Sequence, residues 1–205
     1  MKKTNYLTKT KFKVGLTCPR QLYYLNNKSK YADKMIDDPF LEALAKGGFQ
    51  VGEYANNMTK LEKGFDAYMI DTLDAEKALS QTDALLKKDQ VIIYEPAFLF
   101  DNCFVRCDIL VKNFNRIEIY EVKSKSFAHN ACHDVMNNIN LWNDYKIEKP
   151  RNSYDGILNK QKAFKNGPEW FIKKEYQEYI YDIAFQAWVV NQVLTDYNIN
   201  YYMYT

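Results

Sequence analysis

Hydrophobic and polar positions along this chain change their period several times, and each change marks an element. In 40–58, "FLEALAKGGFQVGEYANNM", apolar residues recur at helical spacing with a Gly-Gly interruption. The segment 71–88, "DTLDAEKALSQTDALLKK", sets Leu73, Ala78, Leu79, Ala84 and Leu85 on one helical stripe. The pattern then shortens. "VIIYEPAFLF" (91–100) reads as a strand in which Pro96 predicts an edge position or a bulge. "CFVRCDILV" (103–111) and "RIEIYEVKS" (116–124) read as two more strands, joined by "KNFN" in an antiparallel hairpin. Residues 127–168 are rich in Asn, Asp, Lys and Gly and predict short helices within a mobile loop. Helical spacing returns over 169–194, through Ile180, Ile183, Ala184, Ala187, Trp188, Asn191 and Leu194. The closing "NINYYMYT" predicts the beginning of a strand, either completing the sheet or marking the chain as a piece of a longer protein.

These elements predict an α/β domain with a central mixed sheet flanked by helices. No fixed-period repeat or low-complexity tract divides the chain, so residues 1–205 are read as a single domain. At 47% hydrophobic and 16% aromatic residues, 205 positions supply a sizeable core. Lys and Arg total 28 against 26 acids, so the net charge of +2 does not by itself announce a polyanionic partner. Any basic surface must be local: lysines gather at 2, 3, 9, 11 and 13, at 123 and 125, and at 160, 162, 165, 173 and 174. Scattered lysines are usually a solvated face, although these flank the candidate site below and suit a phosphate backbone. No window approaches the roughly 20 apolar residues of a membrane span, and the opening "MKKTNYLTKTKFKVGLTCP" has no apolar export core. The expectation is a cytoplasmic chain with no membrane partner. The cysteines at 18, 103, 107 and 132 lack paired spacing and are expected reduced.

Candidate chemistry lies in the hairpin. Side chains alternate along an extended chain, so Ile117, Ile119, Glu121 and Lys123 share one face, and the two charges continue an apolar row. With the turn near Asn113–Asn115, Asp108 falls opposite or diagonal to Glu121. Asp108 interrupts the apolar run from Val105 to Val111, where an unpaired charge costs several kcal/mol or shifts its pKa. Two carboxylates sharing a divalent cation remove that difficulty, with Lys123 aimed at the same point. The competing reading is a surface hairpin carrying a cross-strand ion pair. "HNACHD" (129–134) offers Cys132 between His129 and His133. Adjacent residues do not normally face one another as nucleophile and base, and two His are too few for zinc. There is no GxGxxG and no P-loop.

Asp108 followed by Glu121-Val122-Lys123 resembles the signature of the PD-(D/E)XK nuclease superfamily, and the surrounding sequence resembles its RecB-like and CRISPR-associated exonuclease-like branch. "YEPAF" places Glu95 on the preceding strand, "DIAFQAWVV" aligns Gln186 with that branch's Q-x-x-x-Y helix, and "TKTKFKVGLTCPRQLYY" resembles its Cys-Pro-Arg opening. "GGFQVGEYA" resembles the following helix. The resemblance implies a restriction-endonuclease-like core. It implies a deoxyribonuclease that uses Mg²⁺ or Mn²⁺, with Asp108, Glu121 and Lys123 catalytic. The metal would be held by Asp108, Glu121, the carbonyl of Val122, Glu95 and, as an outer ligand, Glu53. Gln186 and Lys125 would contact DNA. Two positions depart from the pattern: Val190 stands where the motif has Tyr, and Gly52 where many members carry His. They favour the alternative, an inactive nuclease-fold module that binds nucleic acid or a protein. Cys18 matches the first iron–sulfur ligand of one branch, but no Cys follows Cys132, so a cluster would need ligands outside this chain.

Overall fold

The computed structural model describes residues 5–27, 30–31, 39–124, 158–160, 170–172 and 174–204. Five helices and nine strands are formed among them: α1 (Lys9–Thr17), α2 (Pro19–Asn26), α3 (Pro39–Lys63), β1 (Ala67–Met69), α4 (Ala75–Leu86), β2 (Gln90–Tyr94), β3 (Ala97–Phe100), β4 (Cys103–Arg106), β5 (Ile109–Asn113), β6 (Arg116–Val122), β7 (Leu158–Lys160), β8 (Trp170–Ile172), α5 (Lys174–Val193) and β9 (Asn198–Tyr204). The sheet is mixed, in the order β1-β2-β5-β6-β9. The two outer pairings, β1 with β2 and β6 with β9, are parallel, and the inner ones are antiparallel. The fold is therefore α/β with helices on both faces of a mixed sheet. None of the described helices is long and apolar enough to cross a membrane.

Alternation within the strands sends alternate residues to two cores. Val91, Ile93, Leu110, Ile117 and Ile119 pack with Ala78 and Leu86 of α4 and with Phe185, Val189 and Val190 of α5. Ile92, Tyr94, Ile109 and Val111 pack the other way, against Ala55 of α3. Each fully buried Ile or Val contributes about 1.5–3 kcal/mol relative to exposure, so this two-sided burial fixes the register of the sheet. Helix α1 docks on α5 by stacking Phe12 on Phe185, ring centroids 4.8 Å apart.

Several boundaries differ from the sequence pattern. The helix expected over 71–88 begins only at Ala75, because Asp74 caps it by accepting from the Lys77 amide at 2.9 Å; Leu73 lies before it, 97% exposed. The stripe it buries is Ala78, Thr82 and Leu86. The pattern over 169–194 divides into β8 and α5, and the closing strand is β9, parallel to β6. The short helices expected over 127–168 lie outside the described residues except at β7. Helices α1 and α2 and the short β1 have no counterpart among the elements expected from the sequence.

The most consequential difference concerns the strands expected over 91–100 and 103–111. Each is broken over the same two residue pairs, into β2 and β3 and into β4 and β5. Tyr94 pairs with Ile109 on one side of the break and Ala97 with Arg106 on the other, so Glu95 lies opposite Asp108 and Pro96 opposite Cys107 without an inserted residue. Hydrogen bonds continue through it, from the Glu95 amide to the Asp108 carbonyl and from the Cys107 amide to the Pro96 carbonyl, both 3.0 Å. Pro96 has a strand partner on one side only, because β1 ends at Met69 opposite Tyr94 and β3 pairs with β4 alone; the expected edge position holds, without a bulge. Pro96 sits in a coordinated bend of a long hairpin, with Glu95 left-handed at φ 57°. Arg106 clamps the bend: its Nη1 donates to the Thr72 carbonyl at 2.7 Å, and its Nη2 donates to the Ile70 carbonyl and, at 3.3 Å, to the Glu95 carbonyl. From the helix side, Thr82 Oγ1 accepts from the Ala97 amide at 2.9 Å and donates to the Ala78 carbonyl at 2.9 Å.

Candidate active site

The bend places charged side chains at one end of the sheet, on the face covered by α1, α4 and α5. In β6 the buried row runs Ile117, Ile119, Glu121, as alternation requires, and Lys123 follows on the same side. Tyr120 pairs with Ile109, so the next rung sets Asp108 opposite Glu121, and Asp108 in turn lies opposite Glu95. Three carboxylates thus approach this strand end: Glu95 just after β2, Asp108 just before β5, and Glu121 within β6. Asp108 is held by its Oδ2, which accepts from the Val122 amide at 2.6 Å.

Glu121 is 2% exposed, and its two oxygens are surrounded by donors. Lys123 Nζ donates to Oε1 at 2.6 Å, Lys9 Nζ donates to Oε2 at 3.1 Å, and the Gln186 amide donates to Oε2. Lys123 also reaches Asp182 Oδ2 at 2.9 Å, and Lys13 reaches Asp182 Oδ1 at 2.9 Å. Asp182 and Gln186 are one turn apart on α5, while Lys9 and Lys13 are one turn apart on α1, so two helices present paired polar groups to the strand end. Arg106 Nε stands 3.5 Å from Glu95 Oε2.

Electrostatics follow from this crowding. Burial, and next the charge of Glu121, push the Asp108 carboxyl up to about 6. Burial also raises Glu95. Burial alone would raise Glu121 too, but the ammonium groups of Lys9 and Lys123 and the Gln186 hydrogen bond outweigh it and hold Glu121 below the usual range. Burial would lower Lys123, yet Glu121 and Asp182 reverse that and keep it protonated well above neutrality. The Cys107 thiol, fully buried beside this cluster, is pushed far up by burial and stays a thiol.

No family model, curated protein or solved structure matches this chain. The site must therefore be judged on its own chemistry.

Of the residues singled out in the sequence, the structure brings together Asp108, Glu121, Lys123, Glu95 and the Val122 backbone. Gln186 joins them, though it is 1% exposed and directed at Glu121, not at a surface where DNA would lie. Glu53 is not brought in. It is exposed on α3, two residues from the inward-facing Ala55, and α3 covers the opposite face of the sheet. Cys18 is a free thiol at the junction of α1 and α2. Val190 is fully buried in the core, so an aliphatic side chain there answers to packing. Lys125 and the His129–His133 cluster lie outside the described residues. Lys9, Lys13, Asp182 and Arg106 are partners that sequence reasoning did not assign. Asp182 and Gln186 at helical spacing within the otherwise apolar "DIAFQAWVV" were the available signal.

Do these residues suit a divalent cation? Among the described residues no three or more His, Cys, Asp or Glu side chains converge to cage an ion alone. Mg²⁺ does not require that, since it typically takes one or two carboxylates and keeps its waters. The acidic pair already attracts a cation, because the Lys9 ammonium lies 3.1 and 3.4 Å from the two Glu121 oxygens. Asp108, whose ionised form is opposed by burial and by Glu121, gains from any further positive charge. The donor set fits a hard cation.

Proposed function

We propose that this chain is a metal-dependent nuclease of the RecB-like PD-(D/E)XK type, hydrolysing phosphodiester bonds in DNA. The observation that carries the reading is the placement of Asp108 opposite Glu121, with Lys123 on the same face. Asp108 and Glu121, with the Val122 carbonyl, would hold Mg²⁺ or Mn²⁺, and the bound ion supplies Lewis-acid polarisation of a phosphoryl oxygen and a more acidic water. Glu95, just after β2, adds negative charge behind the pair. Lys123 is protonated at neutral pH, so it acts as a fixed positive charge and hydrogen-bond donor that orients a water and stabilises charge on the phosphoryl group; it is not a proton acceptor. Asp182 and Gln186 are positioning residues: one aims Lys123 and the other holds Glu121.

A second reading, an inactive nuclease-fold module that binds nucleic acid or a protein, is favoured by one observation. Both Glu121 oxygens already have donors within the chain. Incubating the protein with single- and double-stranded DNA in Mg²⁺, Mn²⁺ or chelator separates the two. Metal-dependent product that is lost in Glu121→Gln and Lys123→Ala supports the nuclease; binding without product under Mn²⁺ supports the module.

A further inference from the structure

We propose that Lys9 is a tethered competitor for the divalent cation: its ammonium occupies the acidic pair in the metal-free chain and must withdraw before an ion can enter. This rests on the reading of Asp108 and Glu121 as a cation site. Lys9 Nζ contacts both Glu121 oxygens, and after Glu121 the strongest charge acting on it is Asp108. No local cause puts a cation there. Lys9 opens α1, whose first turn contains no acid, and an ammonium at a helix N-terminus opposes the macrodipole. The attraction must come from across the fold, from Glu121, 112 positions away, and from Asp108.

The backbone that carries Lys9 is fixed on every side. Leu7 accepts from the Phe104 amide at 2.8 Å and donates to the Asn102 carbonyl at 2.9 Å. Thr8 caps the helix, Phe12 stacks on Phe185, and Lys13 is held by Asp182. Displacement of the ammonium therefore needs no movement of α1. The Lys9 side chain is 22% exposed, so a flexible four-carbon stem can swing its head into water while its stem remains against the fold. A short tether keeps the ammonium at an effective concentration on the order of millimolar or higher, which a divalent ion must exceed. In the metal-free chain the same ammonium prevents the buried acids from facing one another unscreened.

The test measures Mn²⁺ binding to the full chain, by the loss of the free-ion paramagnetic signal, in wild type, Lys9→Gln, Lys13→Gln and Asp108→Asn. If Lys9 occupies the site about nine-tenths of the time, Lys9→Gln binds Mn²⁺ about tenfold more tightly. Lys13→Gln removes the same charge one turn along α1 and is expected to change affinity by less than about twofold, because Lys13 contacts Asp182 and neither of the acids proposed to hold the ion. In chelator, Lys9→Gln is expected to melt lower than wild type and to recover more on adding Mn²⁺. Lys9→Met, which keeps the stem, gives the same reading should the Gln variant not fold without metal. Equal or weaker binding by Lys9→Gln, or equal tightening by Lys13→Gln, overturns the competitor and leaves the metal site standing. If wild type and Lys9→Gln both bind no more Mn²⁺ than Asp108→Asn, the metal-site reading falls and takes the competitor with it.

Discussion

Asp108, the residue before β5, accepts at 2.6 Å from the Val122 amide that follows Glu121 in β6, at the point where a buried row of isoleucines gives way to charge. Neither strand alone explains the pair. Asp108 enters from a bend that Glu95 and Pro96 impose on the neighbouring strand, and Glu121 is held in place by lysines from the first helix and from its own strand. The pair is electrostatically frustrated, and the frustration falls mainly on Asp108.

Asp108→Asn is expected to stabilise the metal-free chain at pH 7. The folded-state carboxyl titrates at about 6 against an ordinary value of 3.8, so its ionised form opposes folding. That penalty is complete above about pH 6, shrinks as pH falls through this range, and disappears below about 3.8, where both states are protonated. Urea denaturation in chelator should show the variant's advantage at pH 7 declining towards pH 4. A variant less stable than wild type at pH 7 would mean that the Val122 hydrogen bond outweighs the repulsion.

Asp182→Asn is expected to lower cleavage by moving Lys123, with a signature that a merely structural role would not produce. Asp182 and Glu121 together raise the Lys123 pKa, so removing one charge lowers it. Cleavage should fall in Asp182→Asn and be rescued by Asp182→Glu, which restores the charge that holds Lys123, whereas Lys13→Gln, which leaves both acids in place, should retain it.

Thr82→Val leaves the buried Ala97 amide without its acceptor, beside the bend that carries the site. The loss of one buried hydrogen bond partner predicts about 1–3 kcal/mol of destabilisation in a denaturation experiment. A change below about 0.5 kcal/mol would show that the bend does not depend on α4.

Glu53→Gln should leave metal-dependent cleavage within about twofold of wild type, since the side chain is exposed on the far face of the sheet and surface changes of this kind are nearly neutral. A loss comparable to that in Glu121→Gln would require α3 to approach the acids.

Much of the site was legible because β-structure has a period of two. Ile117 and Ile119 fixed the face of Glu121 and Lys123, and a tight turn between Asn113 and Arg116 fixed the rung that sets Asp108 against Glu121. Leu73 was misplaced on a helical stripe because periodicity does not register the capping hydrogen bond at Asp74.

Sequence alone determined the alternation of the hairpin, the existence of the long helices and the identity of the strand-end charges, because these depend on neighbours a few positions apart. Tertiary structure alone decided that Lys9, Asp182 and Gln186 meet those charges, with Lys13 held by Asp182, that Glu53 does not, and that two strands bend at the same residue pairs. Those outcomes depend on which faces pack together. Lys9 and Glu121 are 112 positions apart, a separation at which no local period carries information and only the burial of both cores brings the groups together.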